Sequence, residues 1–369
     1  MKSIRIAIVT IENVQRFVAD IRRACDPERT TRPSFGMSAP DALDANLLDI
    51  ANVEVQQFTE VDAAFAFVSD AQNGYAILVD ESVFSKQRKR LETNCKFGPF
   101  GVINLKGKPN RLSAPTSTFL HTPVFVNAEN PALFIRKSII HTRLSNRGLS
   151  IKVLEGASEF VDYFSLRHEV WREMGYIASD YAPPWELDYV DIHALPFGAF
   201  LDNHLVGCVR LVRLHGQAGT KETLNNIVEE LDDESRQQVS MRMLNPHKFK
   251  HPFINLRRFE EFDEYYHSIS KDSKAEVSRL IVKSQTRNIG IGETLLDSVV
   301  SAARHKRIEV LFLACQAKHE QFYRRSFFET LDWPKTSGFF DLPDVEAIAM
   351  EQKIKFKKSE TKKASNVRR

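Results

Sequence analysis

The chain has 369 residues, of which 43% are hydrophobic and 27% charged. That composition buries a core, and the length favours two domains over one. The net charge of +3 is too small to argue a nucleic-acid partner.

Taken in order, residues 4–9 form an apolar β-rich run, followed by Val14, Phe17, Val18 and Ile21 at helical spacing. The alternation continues with strands over 53–58, 75–79, 101–105 and 123–126, and helices over 61–71, after Ser85 and from Pro131 to about Leu144. Strands alternating with helices imply a parallel sheet covered on both faces. Residues 106–122, rich in Pro, Ser, Thr and Lys, read as a loop. The order and length are similar to those of a response-regulator receiver domain, with Asp80 closing the third strand. The first strand ends Val9-Thr10-Ile11-Glu12 without an acidic pair, and Asn127 stands where a receiver has Lys. The expectation is a degenerate receiver-like or other flavodoxin-like module over 1–146, with Asp80 a turn or helix-cap carboxylate. Such a module would serve a signalling partner or self-association.

The polar stretch 141–148 ends in Gly148 and marks the join to a second domain over 149–352. A strand over 151–154 leads to a helix over 157–174, then to a hairpin over 197–214 that turns at Asp202-Asn203. An amphipathic helix is expected over 224–231, with an aromatic, charged run over 249–266. Val277, Leu280, Ile281 and Val282 then make a buried strand. Arg287-Asn288-Ile289-Gly290-Ile291-Gly292 follows, and Ile291, Leu295, Leu296, Val299, Val300 and Ala303 recur at helical spacing. A helix N-terminus opened by glycines is an anion site. Strands at 310–314 and 345–350 flank a short helix carrying Phe322-Tyr323. Residues 353–369 hold many Lys and Arg against one acid, Glu360, and read as a basic disordered tail.

Arg-x-x-Gly-x-Gly between a strand and a helix resembles the acyl-coenzyme A pyrophosphate loop of the GNAT acyltransferases. The preceding Glu276-Val277-Ser278-Arg279 is similar to the Glu-x-Ser-Arg strand of the acyl-homoserine-lactone (autoinducer) synthases and N-acyl amino acid synthases. Upstream, in the same order as in that branch, come Arg167 with Trp171, then Gly175-Tyr176, Glu186-x-Asp188-x-x-Asp191, and Gly207 to Arg210-Leu211. Trp171 stands where the lactone synthases usually have Phe, and Tyr176 where they usually have Trp. The resemblance implies a GNAT-fold mixed sheet after an N-terminal parallel sheet, both α/β. It also implies an acyl-CoA or acyl carrier protein donor and a small amine acceptor.

On that reading, Glu276 is the candidate base for a cationic amine, Ser278 shares its cleft, and Tyr323 is the candidate acid for the leaving thiolate. The strand backbone near Leu280 and Val282, with Arg287, Asn288, Gly290 and Gly292, would hold the donor. Arg167, Trp171, Asp188, Asp191, Arg210 and Arg279 would organise the acceptor side. Strand alternation places Arg279 on the face opposite Glu276 and Ser278. The plainer alternatives are a buried structural Glu276 paired with Arg, an acidic surface turn, a simple turn leading into the helix, and a core tyrosine. Two other functions stay open: an acetyl-CoA-dependent N-acetyltransferase and a non-catalytic acyl-CoA-sensing regulator.

Several classes are disfavoured. Cys25, Cys95, Cys208 and Cys315 lie far apart with no C-x-x-C, which suits a cytoplasmic setting and neither a disulfide framework nor a zinc site. The histidines lack ligand spacing, so no metal is expected. Gly-x-Ser-x-Gly is absent, which argues against a serine hydrolase. No segment approaches the roughly 20 apolar residues of a membrane span.

Overall fold

The computed structural model describes residues 4–10, 53–69, 71, 75–80, 83, 100–103, 131–177, 184–213, 218–244, 260–332, 346–354 and 356. The chain divides into two compact units, one of residues 1–149 with 355–369 and one of residues 150–354.

In the first unit, β1 (Ile4–Val9), β2 (Val53–Phe58), β3 (Tyr75–Asp80) and β4 (Phe100–Ile103) form a parallel sheet in the order β2-β1-β3-β4. Helix α1 (Val61–Val68) buries Val61, Ala64 and Val68 against Ala7, Val9, Ile77 and Val79. It stops three residues short of the expected end. Helix α2 (Pro131–Asn146) packs on β3, and Thr142 Oγ1 accepts the Tyr75 N–H at 3.0 Å. Asp80 is buried at the carboxyl end of β3. The expected strand at 123–126 and the helix after Ser85 fall outside the described residues.

The second unit is built on a seven-stranded sheet ordered β10-β11-β9-β8-β7-β6-β5. Its strands are β5 (Ser150–Val153), β6 (Ala194–Leu201), β7 (His204–Val212), β8 (Lys274–Val282), β9 (Val310–Gln316), β10 (Glu329–Thr330) and β11 (Ala347–Lys353). Every neighbouring pair is antiparallel except β8 with β9. The β6–β7 hairpin turns through Asp202 and Asn203 at φ 50° and 65°, the left-handed pair that suits the twist of a two-residue hairpin. Strand β11 runs to Lys353, so the residue expected to begin the tail is the last of that strand instead.

Alternation along β7 sends Gly207 and Cys208 to opposite faces. Cys208 joins the cluster of Phe160, Tyr163, Phe164, Val170 and Trp171 from α3 (Ala157–Glu173). On the other face lies α7 (Ile291–His305), which buries Ala303 and also Ile291, Leu295, Leu296 and Val299, the last four each worth about 1.5–3 kcal/mol. A Cβ on Gly207 would stand 3.1 Å from the Ile291 side chain and 3.1 Å from the Ile281 carbonyl. Close helix–sheet packing is therefore what requires glycine there.

Between β7 and β8 the described residues include three α-helices, α4 (Ala218–Glu229), α5 (Asp233–Leu244) and α6 (Glu260–Ser268). Leu224, Ile227 and Val239 close the α3 cluster, while Tyr265 and Tyr266 pack on Phe312 of β9.

Candidate active site

β8 and β9 pair at Lys274–Val310, Ala275–Leu311 and Glu276–Phe312, and their recorded pairing stops there. Both strands continue, β8 to Val282 and β9 to Gln316. They therefore part into a notch with Glu276 at its vertex. Past Glu276, the edge of β8 facing β9 presents backbone N–H and C=O groups without a ladder partner among the described residues. In a continuous ladder β9 would take up these groups. Leu280 and Val282 lie on this stretch, both half-buried.

Immediately after β8 the chain turns through Arg287, Asn288 (φ 65°) and Gly290 (φ 99°) into α7. The first-turn N–H groups of α7 have no partner within the helix. Arg287 is exposed, and its Nε donates to the Val282 carbonyl at 3.0 Å, which ties the loop to the end of β8. Gly290 needs glycine for its left-handed backbone. Gly292 has a different reason. A Cβ there would stand 3.2 Å from the Phe322 ring of α8 (Glu320–Arg324), so packing of the two helices favours glycine at this position. Arg325 sits 3.4 Å from the buried Glu293 carboxylate in the first turn of α7. That contact offsets a negative charge beside an anion-favouring helix end.

Tyr323 is half-buried on α8, edge-on to Phe322 and Phe328. Burial pushes its phenol above the ordinary value, with Cys315 adding to the effect, so the hydroxyl is protonated at neutral pH. Burial also pushes the thiols of Cys208 and Cys315 up to about 12. Neither is a thiolate near neutral pH, which counts against a covalent acyl-cysteine.

On the α3 face of the sheet, six buried ionic residues meet. Arg167 of α3 donates to Asp191 Oδ1 at 2.7 Å and also engages Glu186. Arg210 of β7 donates to Asp188 at 2.8 and 3.1 Å, to Asp191 at 2.7 Å and, through Nε, to Ser278 Oγ at 2.9 Å. Arg279 of β8 donates to Asp188 at 2.6 Å and to Glu186 at 3.1 Å. Three guanidiniums thus face three carboxylates, and the set is neutral. The acids arrive together because Asp188 caps the 3₁₀ turn Tyr189–His193. Its Oδ1 accepts the Val190 N–H at 2.9 Å, and Asp191 Oδ2 accepts the Asp188 N–H at 2.8 Å. Arg167 and Arg210 have 0% exposure, so in this structure they meet carboxylates and not solvent.

Alternation along β8 fails at Arg279. Cys208 opposes Ile281 and Arg210 opposes Ser278, so two steps on β7 face three on β8. The extra residue makes a bulge, with Arg279 at φ 56°. The bulge turns Arg279 toward the same acidic cluster that Ser278 reaches through Arg210, where an unbroken strand would separate the two. Trp171 lies against the Arg279 guanidinium, 4.4 Å from ring centroid to Cζ, and meets Tyr176 edge-on at 6.2 Å. The Tyr176 hydroxyl in turn accepts a hydrogen bond from Gln316 Nε2, at the end of β9. Gln316 carries no motif and was not legible as a site residue.

The structure therefore brings the expected residues together as two groups. Glu276, Leu280, Val282, Arg287, Asn288, Gly290 and Gly292 follow the notch and its loop. Arg167, Trp171, Asp188, Asp191, Arg210, Ser278 and Arg279 form the buried cluster. Tyr323 lies on α8, whose Phe322 and neighbouring Arg325 face the first turn of α7.

The cluster has a pH consequence. Burial alone would raise the Asp188 pKa, but the charges of Arg210 and Arg279 and the hydrogen bond from Arg210 hold it well below the usual carboxylate range. Stability from Asp188 is present above its unfolded pKa of about 4 and is lost as pH falls through the folded value. The urea midpoint of the wild-type chain should fall progressively as pH drops below about 5 and keep falling as pH approaches the depressed pKa of Asp188. Asp188→Asn should flatten the slope, and an equal slope in both chains would show that the cluster does not hold Asp188 ionised.

Among the described residues no helix is long and apolar enough to cross a membrane, and no group of three His, Cys, Asp or Glu is placed to hold a metal.

A sequence search of curated proteins gives no match. Among solved structures, FeeM, an N-acyl amino acid synthase from uncultured soil microbes, is 15% identical, with 56% of this chain and 90% of that chain covered and a TM-score of 0.38. The AHL synthase LasI is 15% identical over 55% of this chain and 88% of its own, with a TM-score of 0.34. An N-acetyltransferase from Thermoplasma acidophilum, PaiA, solved with coenzyme A, is 18% identical over 56% and 99%, with a TM-score of 0.32. Identities and scores this low carry no conclusion about substrate or mechanism. The family of acetyltransferase (GNAT) domains matches residues 231–340, the stretch that holds β8, the glycine loop, α7, β9 and α8. The chain thus carries a GNAT acetyltransferase domain over those residues and is, by that domain, a transferase.

Proposed function

We propose that the protein is an N-acyltransferase that moves an acyl group from acyl-CoA or an acyl carrier protein to the amine of a small amino acid-type acceptor. The observation that carries this reading is the parting of β8 from β9 at Glu276, followed directly by the glycine-opened N-terminus of α7. A strand edge that has left the β8–β9 ladder suits the amide groups of a pantetheine arm, and the helix end suits its phosphates.

In the reaction, the acceptor nitrogen attacks the thioester carbonyl carbon. A C–N bond forms and the C–S bond breaks. Glu276, at the vertex of the notch, takes the proton from the amine, directly or through water. The β8 backbone near Leu280 and Val282 stabilises the charge that develops on the carbonyl oxygen. Tyr323, protonated at neutral pH, supplies the proton that the leaving thiolate takes up. The buried Arg–carboxylate cluster, with Ser278 and Trp171, fixes the acceptor side. Arg167 and Arg210 act through the elements they join, not by touching the acceptor.

The match to an acetyltransferase domain favours a second reading, an acetyl-CoA-dependent N-acetyltransferase with the same machinery and a shorter donor. On either reading, catalysis lies in residues 149–352. Residues 1–146 form a degenerate receiver-like module that docks or self-associates, a reading supported by the parallel order β2-β1-β3-β4 and by the buried Asp80 at the end of β3.

The test is direct. The purified full-length chain is incubated with acyl-CoA and acyl carrier protein thioesters of increasing chain length and a mixture of amino acids, and the products are weighed by mass spectrometry. An N-acyl amino acid or acyl lactone is expected. Acetylated products alone would establish the second reading. Thioesters left intact across the whole series would sink both.

A further inference from the structure

The notch between β8 and β9 is bridged by side chains at the level where main-chain bonding has ended. Arg279 of β8 lies against Trp171, Trp171 meets Tyr176 edge-on, and Tyr176 accepts a hydrogen bond from Gln316 of β9. Each end of this bridge is anchored. Gln316 is buried, and its backbone pairs with Ala347 of β11. Tyr176 follows Gly175, whose φ of 71° ends α3, and its N–H donates to the Trp171 carbonyl at 2.8 Å. The Arg279 end is held by Glu186 and Asp188.

Two neighbouring strands that stop pairing have two unwanted options. They can draw together and bond to each other, or they can gape. A fixed side-chain bridge blocks both and keeps a constant gap. We infer that Tyr176 and Gln316 are positioning residues, a strap that sets the width of the β8–β9 notch for the extended arm of an acyl thioester. The inference rests on the acyl-transfer reading and adds to it the device that presents the thioester carbonyl to the β8 backbone. It also ties donor placement to the acceptor-side cluster, because the same bridge ends on Arg279.

The experiment uses the full-length chain with three single substitutions, Tyr176→Phe, Gln316→Leu and Gln316→Glu, and the double Tyr176→Phe/Gln316→Leu. Initial rates are measured against acyl-CoA donors at saturating acceptor. Tyr176→Phe and Gln316→Leu should each raise donor KM about tenfold, as loss of one partly buried hydrogen bond allows, with kcat changed far less. Because the two residues act as one unit, the double variant should be no worse than either single. Gln316→Glu loses the Nε2–H donor but offers a carboxylate oxygen to the Tyr176 O–H, so the bond re-forms with its direction reversed and KM should return toward wild type, although the variant adds an acid. A role in packing alone would leave Gln316→Glu as impaired as Gln316→Leu, and that outcome would overturn the strap. So would a double variant whose effects multiply, or singles with wild-type KM. Wild-type turnover with unmoved variants overturns the strap alone. A wild-type chain that consumes no acyl thioester overturns the acyl-transfer reading and the strap with it.

Discussion

Glu276→Gln should lower turnover by roughly two to four orders of magnitude while leaving donor affinity unchanged, the range expected when a positioned general base is lost. At about 1.4 kcal/mol per factor of ten, this removes roughly 3–5 kcal/mol of transition-state stabilisation. The substitution is nearly isosteric. It keeps a hydrogen-bonding group at the last residue of β8 that pairs with β9, between Phe312 of β9 and Val212 of β7. The sheet and the notch should therefore persist. What disappears is the capacity to hold a proton. Calorimetric titration with a non-reactive acyl-CoA analogue should give wild-type affinity, and kcat should fall with donor KM near wild type. Turnover within threefold of wild type would show that Glu276 is a buried structural carboxylate, and would move weight to a base carried by the acceptor or by solvent. Loss of donor binding together with turnover would show instead that its charge holds the strand.

Part of this site was legible in the residues and part was not, for physical reasons. The strand, glycine loop and helix from Lys274 to His305 declare themselves, because a buried strand needs a β-rich apolar run, and α7 needs Ile291, Leu295, Val299 and Ala303 on one face. The cluster was legible as a set of charged residues but not as a buried set. Nothing in Glu186-x-Asp188-x-x-Asp191 distinguishes a solvated turn from a capped 3₁₀ turn facing two arginines with 0% exposure. The bulge could not be read at all. A left-handed backbone is usually marked by Gly, Asn or Asp, and here the residue is Arg279, held there by Glu186, Asp188 and Trp171. Helix α5 escaped for the opposite reason. Its first six residues, Asp233 to Gln238, are all polar, so the sequence shows no apolar stripe until Val239. Gln316 escaped because its partner, Tyr176, is remote in sequence.

The largest stability effect should come from Arg210→Met, with an expected loss of about 3–5 kcal/mol, the range for removing one partner of a buried ion pair. Arg210 is the hub of the cluster. It joins β7 to the 3₁₀ turn through Asp188 and Asp191, and to β8 through Ser278. Methionine fills much of the same volume, so the loss is electrostatic. Asp188 and Asp191 would stay buried with one guanidinium fewer, and the neutral set would carry a net negative charge. Against a typical total of about 5–15 kcal/mol, such a loss puts the second unit near its threshold. Denaturant unfolding measured at pH 7 should show it as a lower midpoint. Arg210→Lys should fall between wild type and Arg210→Met, because it keeps the charge but not the fork that meets both aspartates and Ser278. A double variant, Arg210→Met with Asp188→Asn, separates this account from a packing defect. Once the arginine is gone, neutralising Asp188 removes an uncompensated charge, so the double should be more stable than the sum of the singles implies. Simple addition of the two losses would mean that Arg210 supports the sheet by its volume and that the ion cluster is incidental to the fold.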